Sequence, residues 1–513
     1  MKKNSFVAGT LWLSGAGLFT RLLGFVWRIF LSNRIGSEGM GLYQLLMPVY
    51  FLLYTLCTSG ICVGISRLTA TRRSSSPSHT MTRIVWAGLL PAVFLSLLLS
   101  GLLFFYSDFI AVSVLGDGRA ASGLRILCLS LPFCTTSSCC KAYFHGLQQM
   151  TVPAVDQILE QLIRMGTLLL LAPQLGAENL ERTCRLVVWA TVAGDVLSCF
   201  YAACAFARCS LLHRSQPVRT GPSFGGLFHS LFVIALPVTA GRVITQLLSC
   251  FENIMLPAAL QRFGCSSSEA LSLFGVFGGM VMPILLFPSV LTGSVSANLL
   301  PVAARACSAG DKRQIRLCID RVLRFTFLLA FLVTALLSSL GDLLGAFLYP
   351  GTAAGALLML LAVFCPFLYL QGTLGGLLNG LGLQNAAFLH QLLANAVTVL
   401  TVLLAVPRFG FPAFLGGYFL SLLLSSILNL RKLIHTFARG LSVWKSFSLP
   451  LLACAAAVLS LRFLRRLPAI TALSSLLQLA GGFLSILLFY LLTLFFSGSV
   501  TKKDLSQVLK IFG

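Results

Sequence analysis

The sequence predicts an all-α protein that spans the membrane with about fourteen helices. Of its 513 residues, 57% are hydrophobic and only 10% are charged, and the mean hydropathy is +0.92. A soluble domain carries about 25% charged residues, so lipid must surround most of this chain. No polar stretch is long enough to fold as a separate domain of about 50 residues.

A membrane-spanning helix needs about 20 mainly apolar residues, and such segments recur along the whole chain. We expect helices at residues 6–31, 41–65, 84–106, 122–146, 152–174, 184–207, 227–249, 270–297, 322–345, 354–379, 385–406, 411–430, 447–463 and 472–497. The first segment follows Lys2 and Lys3 as in a signal peptide. It lacks a convincing cleavage site, so we expect it to be retained as the first membrane helix.

The distribution of Lys and Arg predicts that both termini are cytoplasmic. In this orientation the cytoplasmic segments hold 22 of the 37 basic residues, the outer loops hold 10, and five lie inside helices. This bias is the usual topological signal, although Arg462, Arg465 and Arg466 go against it. The net charge of +23 therefore reflects membrane orientation, and we expect no nucleic-acid partner.

An internal repeat predicts two related halves. Three pairs of identical residues are each separated by 234 positions: Pro132 with Pro366, Gly146 with Gly380, and Gln157 with Gln391. Chance similarity between apolar segments is the alternative, but a shared offset favours duplication. We expect an N-terminal lobe at 1–215, a C-terminal lobe at 222–435, and a helical hairpin with a short tail at 444–513. Two repeats around a central site are typical of alternating-access transporters.

Two arginines in the first helix suggest an anion site. Arg21 and Arg28 are seven residues apart, close to two helical turns, so they share a face with Gly24 between them. Arginine suits phosphate because its planar fork donates parallel hydrogen bonds. Arg21 is too deep to reach the inner interface easily, whereas Arg28 is equally consistent with a side chain that reaches the outer interface.

The fifth predicted helix carries a second polar group. Asp156, Glu160 and Arg164 share one face, and the order of Glu160 and Arg164 favours an ion pair. Asp156 and Glu160 repel each other, so either one holds a proton or a basic neighbour such as Lys141 neutralises them. This face is either a structural seam or a cavity wall in which Arg164 contacts an anion and a carboxylate couples to H⁺ or Na⁺.

Other polar residues at membrane depth are weaker candidates. Gln157 and its repeat partner Gln391 are candidate cavity residues, and Asp195, Arg242 and His390 could each be interhelical contacts. The embedded bases are Arg21, Arg28, Lys141, Arg164 and Arg242, against the acids Asp156, Glu160 and Asp195. This excess of positive charge favours an anionic head group.

No catalytic, metal or cofactor motif is present. The sequence contains no HExxH, GxxxxGK[ST] or GxSxG, so we expect neither an enzyme nor a self-sufficient ATPase. An ion gradient, the membrane potential or the substrate gradient would have to drive transport. The sixteen Cys form no zinc-like pairs, and we interpret Cys134, Cys139 and Cys140 as small buried apolar residues.

The first helix and the residues after it carry a family resemblance. Residues 20–25 read TRLLGF, 28–30 read RIF, 34–36 read RIG and 39–44 read GMGLYQ. This resembles the stage V sporulation protein B family of the multidrug/oligosaccharidyl-lipid/polysaccharide exporters, which is related to the lipid II flippases. A second match, at LFP (286–288) and LTG (291–293), resembles the family's eighth helix.

The resemblance implies two lobes around a cationic cavity in the bacterial plasma membrane. It implies transport of an undecaprenyl-pyrophosphate-linked sugar from the inner to the outer leaflet, with Arg21 and Arg28 contacting the pyrophosphate. By analogy, segment 447–497 would form a groove for the lipid tail. Lipid II flippases also have cavity arginines in their second and eighth helices. Here Arg67 and Arg305 lie at the cytoplasmic helix ends instead, which leaves the particular sugar open. A role in sporulation is implied by the family name alone.

Three functions remain open from the sequence. The leading one is a flippase for a lipid-linked cell-wall or polysaccharide precursor. The alternative is a cation-coupled multidrug or metabolite antiporter of the same superfamily, which would use the carboxylates of the fifth helix. The third is a scaffold that recruits wall-synthesis partners without transporting anything, which the embedded charges disfavour.

Overall fold

A computed structural model of the chain describes residues 3–72, 78–174, 179–212, 223–437, 443–465 and 474–496. Within these ranges the chain forms helices and the turns between them, with no β-strand. The prediction of an all-α protein is confirmed.

The α-helices follow one another along the whole chain. In order they are α1 (Lys3–Arg72), α2 (Ser78–Phe105), α3 (Ser107–Phe109), α4 (Ala120–Gly146), α5 (Thr151–Leu171), α6 (Leu180–Leu212), α7 (Phe224–Phe263), α8 (Ser267–Phe274), α9 (Met282–Leu286), α10 (Ser289–Ser308), α11 (Lys312–Leu348), α12 (Ala354–Leu361), α13 (Cys365–Gly380), α14 (Gln384–Leu404), α15 (Val406–Phe409), α16 (Phe411–Phe437), α17 (Val443–Leu464) and α18 (Ser475–Phe496). Segments Ile110–Val114 and Gly275–Val281 are π-helical, and Ala172–Gln174 and Ala362–Phe364 are 3₁₀-helical.

The number of membrane spans agrees approximately with the prediction of fourteen. Among the described residues, twelve helical segments are long and apolar enough to cross a membrane. One of them, Gly17–Arg72, has 56 residues and a length of about 84 Å, enough to cross a hydrocarbon core of about 30 Å twice. Helix α5 is not among the twelve because it carries three charged side chains, although its 21 residues are sufficient to span.

The loop predicted between the first two membrane helices is helical, contrary to expectation. Helix α1 continues through this region and changes direction at Gly36, where φ is 71° and ψ is −177°. Only glycine adopts this backbone conformation readily. The polar composition of residues 33–38 predicted a loop, but one glycine suffices to redirect the chain.

The predicted eighth helix at 270–297 is interrupted. The segment consists of α8, the π-helical stretch, α9 and α10. Pro283 lies at the start of α9, and Pro288 is the residue that immediately precedes α10. Proline removes a backbone donor and clashes with the preceding turn, so both positions suit helix starts better than helix interiors.

The helices divide into two compact units. The first comprises residues 1–275 with 402–411, and the second comprises 276–401 with 412–513. These units are defined by contacts, whereas the lobes at 1–215 and 222–435 and the hairpin at 444–513 were inferred from the repeat and remain a prediction.

Each unit has its own apolar core. In the first unit, Ile65, Ile84, Tyr143, Phe206 and Leu231 are all buried and belong to one cluster. In the second unit a buried cluster joins α11, α13, α17 and α18, and includes Phe327, Leu374, Ala453, Ile486 and Tyr490. The hydroxyl of Tyr490 donates to the Leu328 carbonyl at 2.8 Å, so the C-terminal hairpin is anchored on α11.

Candidate functional site

The first unit contains charged side chains at membrane depth, where α5 packs against α6 and α1 and approaches α4. One group centres on Asp156, whose side chain is fully buried. The Lys141 ammonium on α4 donates to Asp156 Oδ2 at 2.7 Å. The Ser198 hydroxyl on α6 lies 2.9 and 3.0 Å from the two carboxylate oxygens. The basic partner that the sequence suggested for the acids is therefore present.

The second group lies one turn further along α5. Arg164 Nη2 lies 2.9 Å from Glu160 Oε1 and 3.4 Å from Asp195 Oδ1. The predicted Glu160–Arg164 ion pair is confirmed. Asp195, on α6, also accepts hydrogen bonds from Ser130 and, at 3.4 Å, from Tyr50. Side chains from α1, α4, α5 and α6 therefore meet at the Asp195 carboxylate.

These contacts change the interpretation of the embedded charges. Lys141 and Arg164 are both paired with acids, so the excess of positive charge in the sequence does not correspond to five cations facing a substrate. Arg21, Arg28 and Arg242 lie outside these two groups. Arg164 has one further feature, a buried Nε without a hydrogen-bond partner among the described residues.

The two arginines of α1 lie on one face, as the spacing predicted. Arg21 is exposed and Arg28 is half-buried. Gly24 lies between them, and a Cβ atom placed on it would be 3.9 Å from Gln161 Nε2 on α5. The arginine face of α1 therefore passes close to the polar helix α5. Arg21 is fifteen residues before Gly36, or about 22 Å along the helix.

The two predicted glutamines belong to different compact units. Gln157 is exposed on α5 in the first unit. Gln391 lies on α14 in the second unit, where it accepts from Gln371 at 3.1 Å and donates to Asn395 at 2.7 Å. Next to it, His390 Nδ1 lies 2.8 Å from Asn429 Oδ1. At Gln391 the second unit therefore has a contact among neutral amide side chains.

Asp195 is the site residue that the sequence identified only weakly. It appeared as a lone acid, because nothing in its neighbourhood on α6 supplies a cation. One signal was available: Asp195 and Ser198 are three residues apart and so share a helix face. Both point towards α5 partners, Arg164 and Asp156 respectively.

A cluster of ion pairs and hydrogen bonds outside the membrane spans connects the ends of several helices. Arg119 lies 2.8 Å from Glu38 and 2.7 Å from Asp117, and the Ser268 hydroxyl donates to Glu38 at 2.7 Å. The hydrogen bonds with Asp117 and Glu38 raise the pKa of Arg119, although partial burial opposes them. These contacts join the turn at Gly36 to the starts of α4 and α8.

Metal-ligating residues do not converge in the part of the chain that the structure describes, since no group of three or more His, Cys, Asp or Glu side chains lies close together there. Cys139 and Cys140 are buried and Cys134 is half-buried, and all three are free thiols. This placement fits their interpretation as small apolar side chains.

Known proteins resemble the chain in sequence and in structure. Residues 6–307, more than half of the chain, match the family described as "Polysaccharide biosynthesis protein". Stage V sporulation protein B of Bacillus subtilis (strain 168) is 29% identical over 401 residues, which cover 77% of each chain.

Two solved structures share the fold. The lipid II flippase MurJ in an inward closed conformation matches with a TM-score of 0.69 at 14% identity, over 94% of this chain and 97% of that one. An inward-facing multidrug resistance transporter of the MATE family, in the MOP superfamily, matches with a TM-score of 0.60 at 13% identity, over 82% and 96% of the two chains. At these identities the structures establish the fold alone.

Proposed function

Because the chain belongs to the polysaccharide biosynthesis protein family, and because its relatives include a lipid II flippase of Bacillus subtilis (strain 168), we propose that it flips an undecaprenyl-pyrophosphate-linked sugar. The proposed direction is from the inner to the outer leaflet of the bacterial plasma membrane, by alternating access. The proposal includes both termini in the cytoplasm.

The arginine face of α1 is the observation that carries this proposal. Arg21 is exposed near the middle of the apolar part of α1 that precedes Gly36, where a charge costs about 2.5–3.5 kcal/mol on insertion scales. A bound pyrophosphate offsets this cost because it pairs with the guanidinium through charge-assisted hydrogen bonds. Arg28, two turns away on the same face, supplies the second contact.

Arg164 has a more limited role in this proposal. Glu160 and Asp195 already engage its Nη2 atom, so its charge is largely balanced within the protein. Because its Nε is also buried, Arg164 would contact the pyrophosphate only after this ion-pair network opens.

An apolar cavity of the second unit supports a site for the lipid tail. It has a volume of about 240 Å³ and its lining includes Phe327, Leu370, Ile427, Trp444 and Phe447. Helix α17 of the C-terminal hairpin forms one wall. The lining offers almost no polar group, as an isoprenoid chain requires.

The cation-coupled antiporter remains the second candidate, and the three embedded acids favour it. Two bases and three acids meet at membrane depth, so full ionisation leaves one surplus negative charge that H⁺ or Na⁺ would balance. Uptake of a cationic drug into vesicles under an imposed pH or Na⁺ gradient tests this candidate. Gradient-driven uptake that depends on Asp195 would support it.

Complementation tests the flippase proposal. Wild type, Arg21→Ala and Arg34→Ala are expressed in a bacterium depleted of its own lipid II flippase, with membrane levels checked by immunoblot. Arg34 is the matched control because it is an exposed arginine of α1 that lies about 140° around the helix from Arg21. We expect wild type and Arg34→Ala to restore growth and Arg21→Ala to fail.

The other outcomes each have a defined meaning. If no variant restores growth at normal expression, lipid II is not the cargo, and another lipid-linked sugar or the antiporter becomes the better candidate. If Arg21→Ala restores growth as well as wild type, the anion site is wrong.

A further inference from the structure

The first unit contains a polar cavity that the pyrophosphate site does not use. It lies between the second half of α1 and the middle of α7 and has a volume of about 310 Å³. Its polar lining includes Thr55, Thr58, Ser59, Arg242, Thr245 and Gln246. This volume is at the lower end of the range of about 300–1,000 Å³ that small-molecule sites occupy.

Two glycines of α1 allow close contact with α7 next to the cavity. A Cβ atom on Gly60 would lie 2.0 Å from the Ala235 carbonyl oxygen, and one on Gly64 would lie 3.1 Å from Leu231 Cγ. The two helices therefore touch there, running in opposite directions. Towards the start of this part of α1 the side chains are larger, and Tyr54 lines the gap opposite α7.

Arg242 is the only charged residue in the lining of this cavity. It is exposed, and no ion pair joins its guanidinium to a residue in the described part of the chain. It lies about 27 Å from the start of α7 and about 32 Å from its end, near the middle of this long membrane helix. A charge held at this depth is a functional feature by default.

The neutral groups around Arg242 both donate and accept hydrogen bonds. Thr58 donates to the Tyr54 carbonyl at 2.8 Å and Thr245 donates to the Arg242 carbonyl at 2.9 Å. Each hydroxyl has one proton, so these two oxygens remain acceptors. Ser59 Oγ is buried without a partner among the described residues, and Gln246 can donate and accept.

We propose that this cavity binds a sugar that carries one carboxylate, in the saccharide part of the cargo. A single guanidinium matches a single negative charge, and the hydroxyl and amide groups match the hydroxyls of a sugar ring. The inference rests on the proposed function, because it assumes a lipid-linked saccharide. The anion could instead come from the pyrophosphate, and the test separates the two sources.

Binding to the purified full-length protein in lipid nanodiscs tests the inference with three probes. They are a polyprenyl pyrophosphate, the same lipid carrying a neutral disaccharide, and the same lipid carrying a disaccharide with one hexuronate. The variants are Arg242→Gln, Arg242→Lys and Arg21→Ala. Arg262→Gln is the matched control, since Arg262 is an exposed arginine near the end of the same helix.

Wild type should bind the hexuronate probe about tenfold more tightly than the neutral one, because one additional charge-assisted hydrogen bond increases affinity by about this factor. Arg242→Gln should abolish this preference, with less than a twofold effect on the bare polyprenyl pyrophosphate. Arg242→Lys should keep most of it, and Arg262→Gln should keep all of it. Arg21→Ala should weaken all three probes together.

Two results would overturn the inference and leave the proposed function standing. One is wild-type binding without a preference for the hexuronate. The other is an Arg242→Gln variant that weakens all three probes equally, which would assign Arg242 to the pyrophosphate. Failure of wild type to bind any probe would overturn the proposed function, and this inference with it.

Discussion

At the scale of single residues, the buried ion pairs of α5 divide into those that local spacing predicts and those that it does not. Glu160 and Arg164 are four positions apart, so the helix itself brings them together. Asp195 reaches Arg164 only because α6 packs against α5. The spacing of residues along α5 contains no information about that tertiary contact.

The Lys141–Asp156 pair should be important for stability. Asp156 is fully buried and Lys141 is mostly buried, so Lys141→Met would leave a carboxylate without its cation. We expect this change to lower the free energy of unfolding in detergent by about 3–5 kcal/mol. The double variant Lys141→Met/Asp156→Leu should recover most of the loss, because it removes both charges.

A surface ion pair provides the control for this measurement. Arg324 lies 3.8 Å from Asp320 and its side chain is half exposed, so Arg324→Met should cost less than about 1 kcal/mol. Equal losses for Lys141→Met and Arg324→Met would show that the buried pair contributes nothing beyond an exposed one.

At the scale of helices, α1 shows what hydropathy predicts and what it misses. Both apolar segments of α1 were predicted, but the joint between them was assigned to a loop. Polar residues lower the local hydropathy, and hydropathy cannot distinguish a loop from a helical turn around Gly36. In the same way, hydropathy did not reveal the interruptions of segment 270–297, although Pro283 and Pro288 are present in its sequence.

The contact between α1 and α7 depends on Gly60. A Cβ atom there would meet the Ala235 carbonyl oxygen at 2.0 Å and Thr239 Oγ1 at 2.3 Å, and backbone cannot move aside easily. Gly60→Ala should force the helices apart and lower the unfolding free energy by about 1–3 kcal/mol. The readout is the thermal unfolding midpoint of the purified protein in detergent.

Gly101→Ala is the matched control for that substitution. Gly101 lies inside α2, and a Cβ atom there would have no neighbour within 4 Å. Because alanine favours helix over glycine, this variant should be neutral or slightly stabilising. A Gly60→Ala protein as stable as Gly101→Ala would contradict the close packing of α1 on α7.

At the scale of the whole molecule, composition and hydropathy were sufficient for the fold class. A chain with 10% charged residues has too little polar surface for a soluble protein of this size. The recurrent apolar segments indicated where the membrane-spanning helices lie. The candidate site was harder, because the count of embedded bases could not show which of them already have acidic partners. The predicted orientation and lobe boundaries, which depend on charge bias and on the repeat, remain predictions.

The central claim is that the protein moves a pyrophosphate-linked saccharide across the membrane by means of Arg21. The most direct test is a flipping assay in proteoliposomes, with a fluorescent polyprenyl-pyrophosphoryl disaccharide and an impermeant reductant that bleaches the outer leaflet. The assay is run with and without Na⁺ and pH gradients. Wild type and Arg34→Ala should expose the inner-leaflet probe to bleaching, and Arg21→Ala should do so at least about tenfold more slowly, the effect of losing one charge-assisted contact. Equal rates for wild type and Arg21→Ala would contradict the account.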